Sequence, residues 1–251
     1  IGEQKLVSFS LNPPEKVSEA ELRFEIEGKP LRAVQRIDYA HIQPQQLFPL
    51  SKLKVVKMNL SKSVSHIAYL KGSGDEVAES LREVDFVVEE IEAAQLPLLD
   101  LAKFESIIVG IRAFNTEKSL VNGTSILNEY VKNGGNVIVQ YNTNRGLITE
   151  KIGPYPFRIS RNRVTKETAE PTFLNPKHPL LNTPNKIDMK DFNGWVQERG
   201  LYFADNWDEH YQAILSWNDP GEKPQEGSIL VCDYGKGHFI YTGISFFRQF
   251  Y

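Results

Sequence analysis

Along residues 1–60, polar and apolar positions alternate in the short runs KLVSFSL, AELRFEIEG and LKVVKMNL, separated by Pro-Pro, Gly-Lys-Pro and Gln-Pro-Gln-Gln. A period of two between turn residues predicts β-strands. Three or four such strands make at best a partial sandwich, so this stretch reads as a β-rich linker ending near Asn59 to Ser65. The pattern then changes. HIAYL (66–70) is a short apolar run, Lys-Gly-Ser-Gly-Asp a turn, and DEVAESLREV (75–84) sets Val77, Leu81 and Val84 on one helical face, with Asp75 as the N-cap. FVVEEI (86–91) and ESIIVGI (105–111) read as further strands. A helix over Ser125 to Lys132 would bury Ile126, Leu127, Tyr130 and Val131 and stop at Gly134, and NVIVQY (136–141) follows as the fourth strand. Strands alternating with helices predict an α/β domain over residues 61–251, with a mainly parallel sheet wound on both faces. Ligands of such sheets gather outside the carboxyl ends of the strands, which here carry KGSGD, RAFNTE and NTNRG. Leu147 to about Lys223 reads as irregular, rich in proline and holding all three tryptophans, before GSILVCDYGKGHFIYTGISFF closes the chain as a hairpin.

Composition adds little to this picture. The 251 residues are 41% hydrophobic, enough for a core, and Lys+Arg 29 against Asp+Glu 32 leaves a net charge of −3. With no long block of one sign, neither nucleic acid nor an anionic membrane is indicated as a partner, and no run is long and apolar enough for membrane insertion. The single cysteine, Cys232, excludes an internal disulfide. A chain opening on IGEQ without Met reads as a piece of something longer.

The order YLKGSGD, IIVGIRAFNT, LNEYVKNGGNVIVQYNTN, RISRNRVTKETAEPTFLNPKHPLL, DFNGWVQERGLYFADNW and YGKGHFIYTGISFFRQ resembles the C-terminal region of bacterial LmbE/PIG-L-type deacetylase proteins. That region is a class I glutamine-amidotransferase-like, flavodoxin-like domain. The resemblance covers residues 60–251 and implies that residues 1–60 end a linking β region. It also implies a deacetylase domain of the same parent chain as a partner, a carbohydrate as ligand, and export of the parent to the periplasm or beyond. The deacetylase's zinc motif, of the Ala-His-Pro-Asp-Asp type, does not occur here. The amidotransferase nucleophile stands on a Gly-X-Cys-X-Gly elbow, matched to the turn after NVIVQ; Tyr141 occupies that place without flanking glycines, and no His-X-Glu follows near the chain end. A working glutamine amidotransferase is therefore not expected, and no cofactor or metal is implied.

The candidate site is polar without a nucleophile. Arg112 and Asn115 follow the third strand, and Tyr141, Asn142 and Asn144 follow the fourth. DFNGWVQERG adds Asp191, Trp195, Glu198 and Arg199, an indole among planar polar groups of the kind that suits a sugar. Each has a plainer account: Arg112 could neutralise an internal acid, and the Trp195 loop could be sealed by internal ion pairs. GSGD lacks the length of a dinucleotide loop and the Lys-Ser/Thr of a P-loop; Ser73 and Asp75 are its polar groups. The histidines at 41, 66, 178, 210 and 238 lack metal-ligand spacing, and DNWDEH lacks the glycine of a calcium loop. Two functions follow: a catalytically degenerate binding or scaffolding module, favoured by the missing triad, or a hydrolase using Glu198, Asp191 or a histidine at the sheet edge.

Overall fold

The computed structural model describes residues 5–16 and 18–250, and the opening IGEQ lies outside them. The chain divides into two compact units, the first ending at Leu60 and the second beginning at Ser61. In the first unit Ser18–Arg23 pairs antiparallel with Lys52–Lys57, and two short hairpins, Glu25–Ile26 with Lys29–Pro30 and Gln35–Ile37 with Gln45–Leu47, lie between. KLVSFSL forms no strand. Its alternation is that of a strand, but among the described residues no neighbouring strand pairs with it, and an unpaired run gains no ladder bonds.

The second unit is built on β1 (His66–Leu70), α1 (Val77–Glu83), β2 (Val87–Ile91), β3 (Ser106–Val109), α2 (Ala113–Thr116), α3 (Leu120–Lys132), β4 (Asn136–Val139), β5 (Arg158–Val164), β6 (Gly200–Asp205), β7 (Gln212–Ala213), β8 (Ile229–Tyr234) and β9 (Gly237–Thr242). Seven strands form one mixed sheet in the order β7-β8-β9-β4-β3-β1-β2. The five from β9 to β2 run parallel, and β8 and β7 join antiparallel at the other edge. Successive side chains alternate between two apolar layers, which is why these strands read as continuous hydrophobic runs. Ala68, Leu70, Ile107, Val109, Val137, Val139, Phe239 and Tyr241 pack with α3 and the turns before β3. On the other face Ile67, Tyr69 and Ile108 meet Val77 and Ala78 of α1, while Ile229 and Val231 meet Phe192, Trp195 and Trp217.

The helix expected from Ser125 starts five residues earlier, at Leu120, and carries Gly123 inside it. That glycine admits the Leu96 side chain, since a Cβ there would lie 2.8 Å from Leu96 Cδ1. The helix stops as expected: Gly134 adopts φ 118° and its N–H bonds Val131 O at 2.9 Å. The segment expected to be irregular contains the antiparallel pair β5–β6 and a short pairing of Thr172–Phe173 with Leu215–Ser216. The terminal hairpin does form, and its second strand lies parallel beside β4.

Candidate functional site

Three strand ends converge on one tight turn. β3 ends at Val109, and after Gly110 and Ile111 the chain turns into α2 through Arg112, whose φ of 57° and ψ of 16° are left-handed. A non-glycine residue there costs about 1–2 kcal/mol, so neighbours must hold it. They do so from both sides. Arg112 N–H donates to Tyr141 O at 2.7 Å and Ser73 N–H to Ile111 O at 2.9 Å. The Asp75 carboxylate accepts from Ile111 N at 3.3 Å, from Val77 N at 2.9 Å and from the Tyr69 hydroxyl, tying the turn to the start of α1. Gly72 lets the first loop close in, because a Cβ on it would lie 2.2 Å from Ile111 O. The Arg112 side chain is exposed and makes no ion pair among the described residues.

The strained strand-to-helix turn thus stands at Arg112 and corrects the expectation that placed it at Tyr141. No helix follows β4, so nothing there forces a left-handed residue. Tyr141 is buried, its ring edge-on to Tyr202 at 5.5 Å and to Phe247 at 5.3 Å. Burial pushes its hydroxyl up to about 12, helped by Tyr202 and Glu198 and opposed by Arg248 and Arg112.

The amides beside it are engaged internally. Asn142 is fully buried; its Oδ1 accepts from Phe114 N at 3.0 Å and its Nδ2 donates to Gln140 O at 2.7 Å. Asn115 accepts from Thr143 N at 2.9 Å and donates to Thr143 O and Arg145 O at 3.0 and 3.1 Å. These bonds stitch α2 to the loop after β4. Asn144 Oδ1 is buried without a partner.

DFNGWVQERG does not form one rim. Asp191 accepts from Asp188 N at 2.7 Å and closes a reciprocal cap on a short 3₁₀ turn. Trp195 is 8% exposed, stacked on Phe192 at 6.0 Å, with its ring N–H on Glu198 O, so the expected open indole face is covered. Glu198 and Arg199, adjacent in the chain, point apart. Glu198 Oε1 lies 2.9 Å from Arg248 Nε, an ion pair not aligned as a hydrogen bond, and accepts from Ser245 Oγ at 3.4 Å. It faces the Tyr141 side. Arg199 enters the aromatic cluster instead, where Nη1 donates to Phe192 O at 2.7 Å. Burial lowers its pKa, opposed by Glu167 and Glu170. Sequence reasoning missed Arg248 and Tyr202. Tyr202 sits at φ 58° within β6, a conformation with no signal in the residues themselves.

Elsewhere the chemistry is quiet. His178 Nδ1 accepts from Leu180 N at 3.1 Å and burial lowers its pKa; His210 and His238 lie 2.6 and 2.8 Å from Asp208 and Asp233. Among the described residues no three His, Cys, Asp or Glu are placed to hold a metal, and no helix is long and apolar enough to cross a membrane. Cys232 faces the core in β8, where burial, with Asp233 and Asp208, pushes the thiol up to about 12 against contacts from Tyr211 and Phe239. A thiol this far from its thiolate is unreactive. A thiol reagent should therefore label the native protein at a negligible rate and the unfolded chain at once; fast labelling under native conditions would contradict this burial.

No family model and no curated protein matches this sequence. Among solved structures, cytoplasmic protein STM3548 from Salmonella typhimurium is similar at 14% identity and a TM-score of 0.44, over 84% of this chain and 82% of its own. A GMP synthase protein from Thermoplasma acidophilum is similar at 10% identity and 0.47, over 73% and 85%. A ThuA-like protein from Bacteroides uniformis is similar at 14% and 0.41, over 74% and 84%. The last two place class I glutamine-amidotransferase-like folds among the structural neighbours, and none of the three is an LmbE/PIG-L deacetylase. At these scores the fold stands on its own strand pairings.

Proposed function

We propose that this chain is a ligand-binding module on a class I amidotransferase-like scaffold, with an arginine where an elbow nucleophile would stand. The strand order, in which β2-β1-β3-β4-β9 run parallel, supports a flavodoxin-like sheet wound on both faces. One observation carries the reading: Arg112 is held in a left-handed turn by three strand ends, yet its guanidinium is exposed and makes no ion pair among the described residues. A turn this constrained makes sense when the side chain it projects must meet something. Guanidinium groups suit carboxylates and vicinal hydroxyls. By the sequence resemblance the ligand is a carbohydrate and the parent chain carries an LmbE-type deacetylase domain.

Amino-sugar oligomers titrated calorimetrically against the wild type and Arg112→Ala test this. The wild type should bind, and the variant should lose about 1.5–3 kcal/mol, a charge-assisted hydrogen bond's contribution. Failure of both proteins to bind at millimolar oligomer, or equal binding by both, would overturn the assignment.

A further inference from the structure

A cavity of about 330 Å³ beside Trp195 has a divided charge. Arg199 lines it, 3% exposed, with its guanidinium carbon 5.8, 5.3 and 5.8 Å from the ring centroids of Phe192, Trp195 and Trp217. A guanidinium carries five N–H donors. Here Nη1 serves Phe192 O, Nε is buried with no acceptor, Nη2 makes no hydrogen bond, and no carboxylate reaches ion-pair distance among the described residues. Aromatic faces offset part of the cost of burying this charge, but they leave its N–H groups unsatisfied.

Acid groups stand on the same cavity. Glu167 and Glu170 line it with Lys190 and Asn193. Glu167 Oε1 accepts from Gln197 N at 2.8 Å, and Glu170 makes neither an ion pair nor a hydrogen bond among the described residues. A simple anion would reach Arg199 only against these two carboxylates, and a simple cation would meet the charge of Arg199. A ligand carrying both charges satisfies both ends.

We propose that this cavity binds a small amino-carboxylate, its carboxylate on the unsatisfied edge of Arg199 and its ammonium against Glu167 and Glu170. Phe192 and Trp195 supply the apolar wall for the carbons between. The site is independent of the Arg112 assignment, since neither Arg112 nor Tyr141 lines this cavity.

The probes are glycine, 4-aminobutyrate and 6-aminohexanoate, each beside its amine-free counterpart, acetate, butyrate or hexanoate. Binding is read by calorimetry and by the fluorescence of Trp195 and Trp217, which flank Arg199. At least one zwitterion should bind about tenfold or more tightly than its counterpart, the effect of one charge-assisted contact. The double variant Glu167→Gln/Glu170→Gln should erase that preference, and both residues are exposed, so its folding is not at risk. Arg199→Lys, which keeps a charge but not the fork, should weaken zwitterion and carboxylate alike. The proposal is overturned if no probe binds at millimolar concentration, if every carboxylate binds as well as its zwitterion, or if the glutamine variant keeps the preference.

Discussion

Gly227→Ala should destabilise the protein by about 4 kcal/mol or more, enough to leave it largely unfolded. The added Cβ would lie 1.8 Å from Ala204 O, 2.7 Å from Ala204 C and 3.1 Å from Ala204 Cα. All three are backbone atoms of β6, and Ala204 N–H already bonds Gly227 O at 2.8 Å, so neither chain can step aside without breaking the contact. Ala204 is itself 1% exposed, on the strand that continues from Arg199 and Gly200. Displacement of that strand would open both the Arg199 cavity and the Glu198–Arg248 pair. Gly74→Ala makes the matched control: at φ 97° with nothing within 4 Å of the new Cβ, it meets only the left-handed penalty, about 1–2 kcal/mol. Urea unfolding of both variants checks the contrast. A Gly227→Ala protein within 1 kcal/mol of the wild type, or less affected than Gly74→Ala, would mean that β6 does not lie this close.

The parallel strands were legible because both faces of each are buried. HIAYL sends Ala68 and Leu70 into one layer and Ile67 and Tyr69 into the other, which leaves an unbroken apolar run in the sequence. β5 and β6 were not legible. RISRNRV pairs with GLYFAD through register shifts between Ile159 and Asn162 and between Asn162 and Arg163, so its alternation is lost among arginines. The sheet-edge position of Arg112, Asn115, Tyr141 and Asn142 could be read from the strand ends alone. Their tasks could not, because an Asn that stitches two loops looks the same in sequence as one facing a ligand. For Glu198 and Arg199 the signal was present: neighbours in an extended segment face opposite ways, so one loop could not present both to one ligand.

Asp219→Asn should cost about 3 kcal/mol at neutral pH, and the loss should fade as the solution is acidified. The Asp219 residue is 8% exposed, and its carboxylate accepts from Thr165 N at 2.9 and 3.0 Å, from Lys166 N at 2.8 Å and from Thr165 Oγ1 at 2.6 Å. An amide can accept at one atom only and presents N–H groups to donors at the other, so at least one of those bonds becomes a clash of donors. Burial alone would raise the Asp219 pKa, but the Thr165 hydroxyl, the Lys166 and Thr165 amides and nearby Arg163 outweigh it, and the net shift is downward. A carboxylate whose pKa is lower folded than unfolded contributes its stability fully above the unfolded value, about 3.9, and loses it as pH falls through the folded one. Wild type and variant should therefore differ most at neutrality and converge below the usual carboxylate range, where Asp219 is protonated in both states. The same bonds pin residues 165–166 beneath the loop that carries Glu167 and Glu170, so the variant should also weaken zwitterion binding at the Arg199 cavity. Thermal melts of both proteins across the acid range are the measurement. A stability gap that stays constant from neutrality down to strongly acid solution would show that the Asp219 charge does not hold this turn.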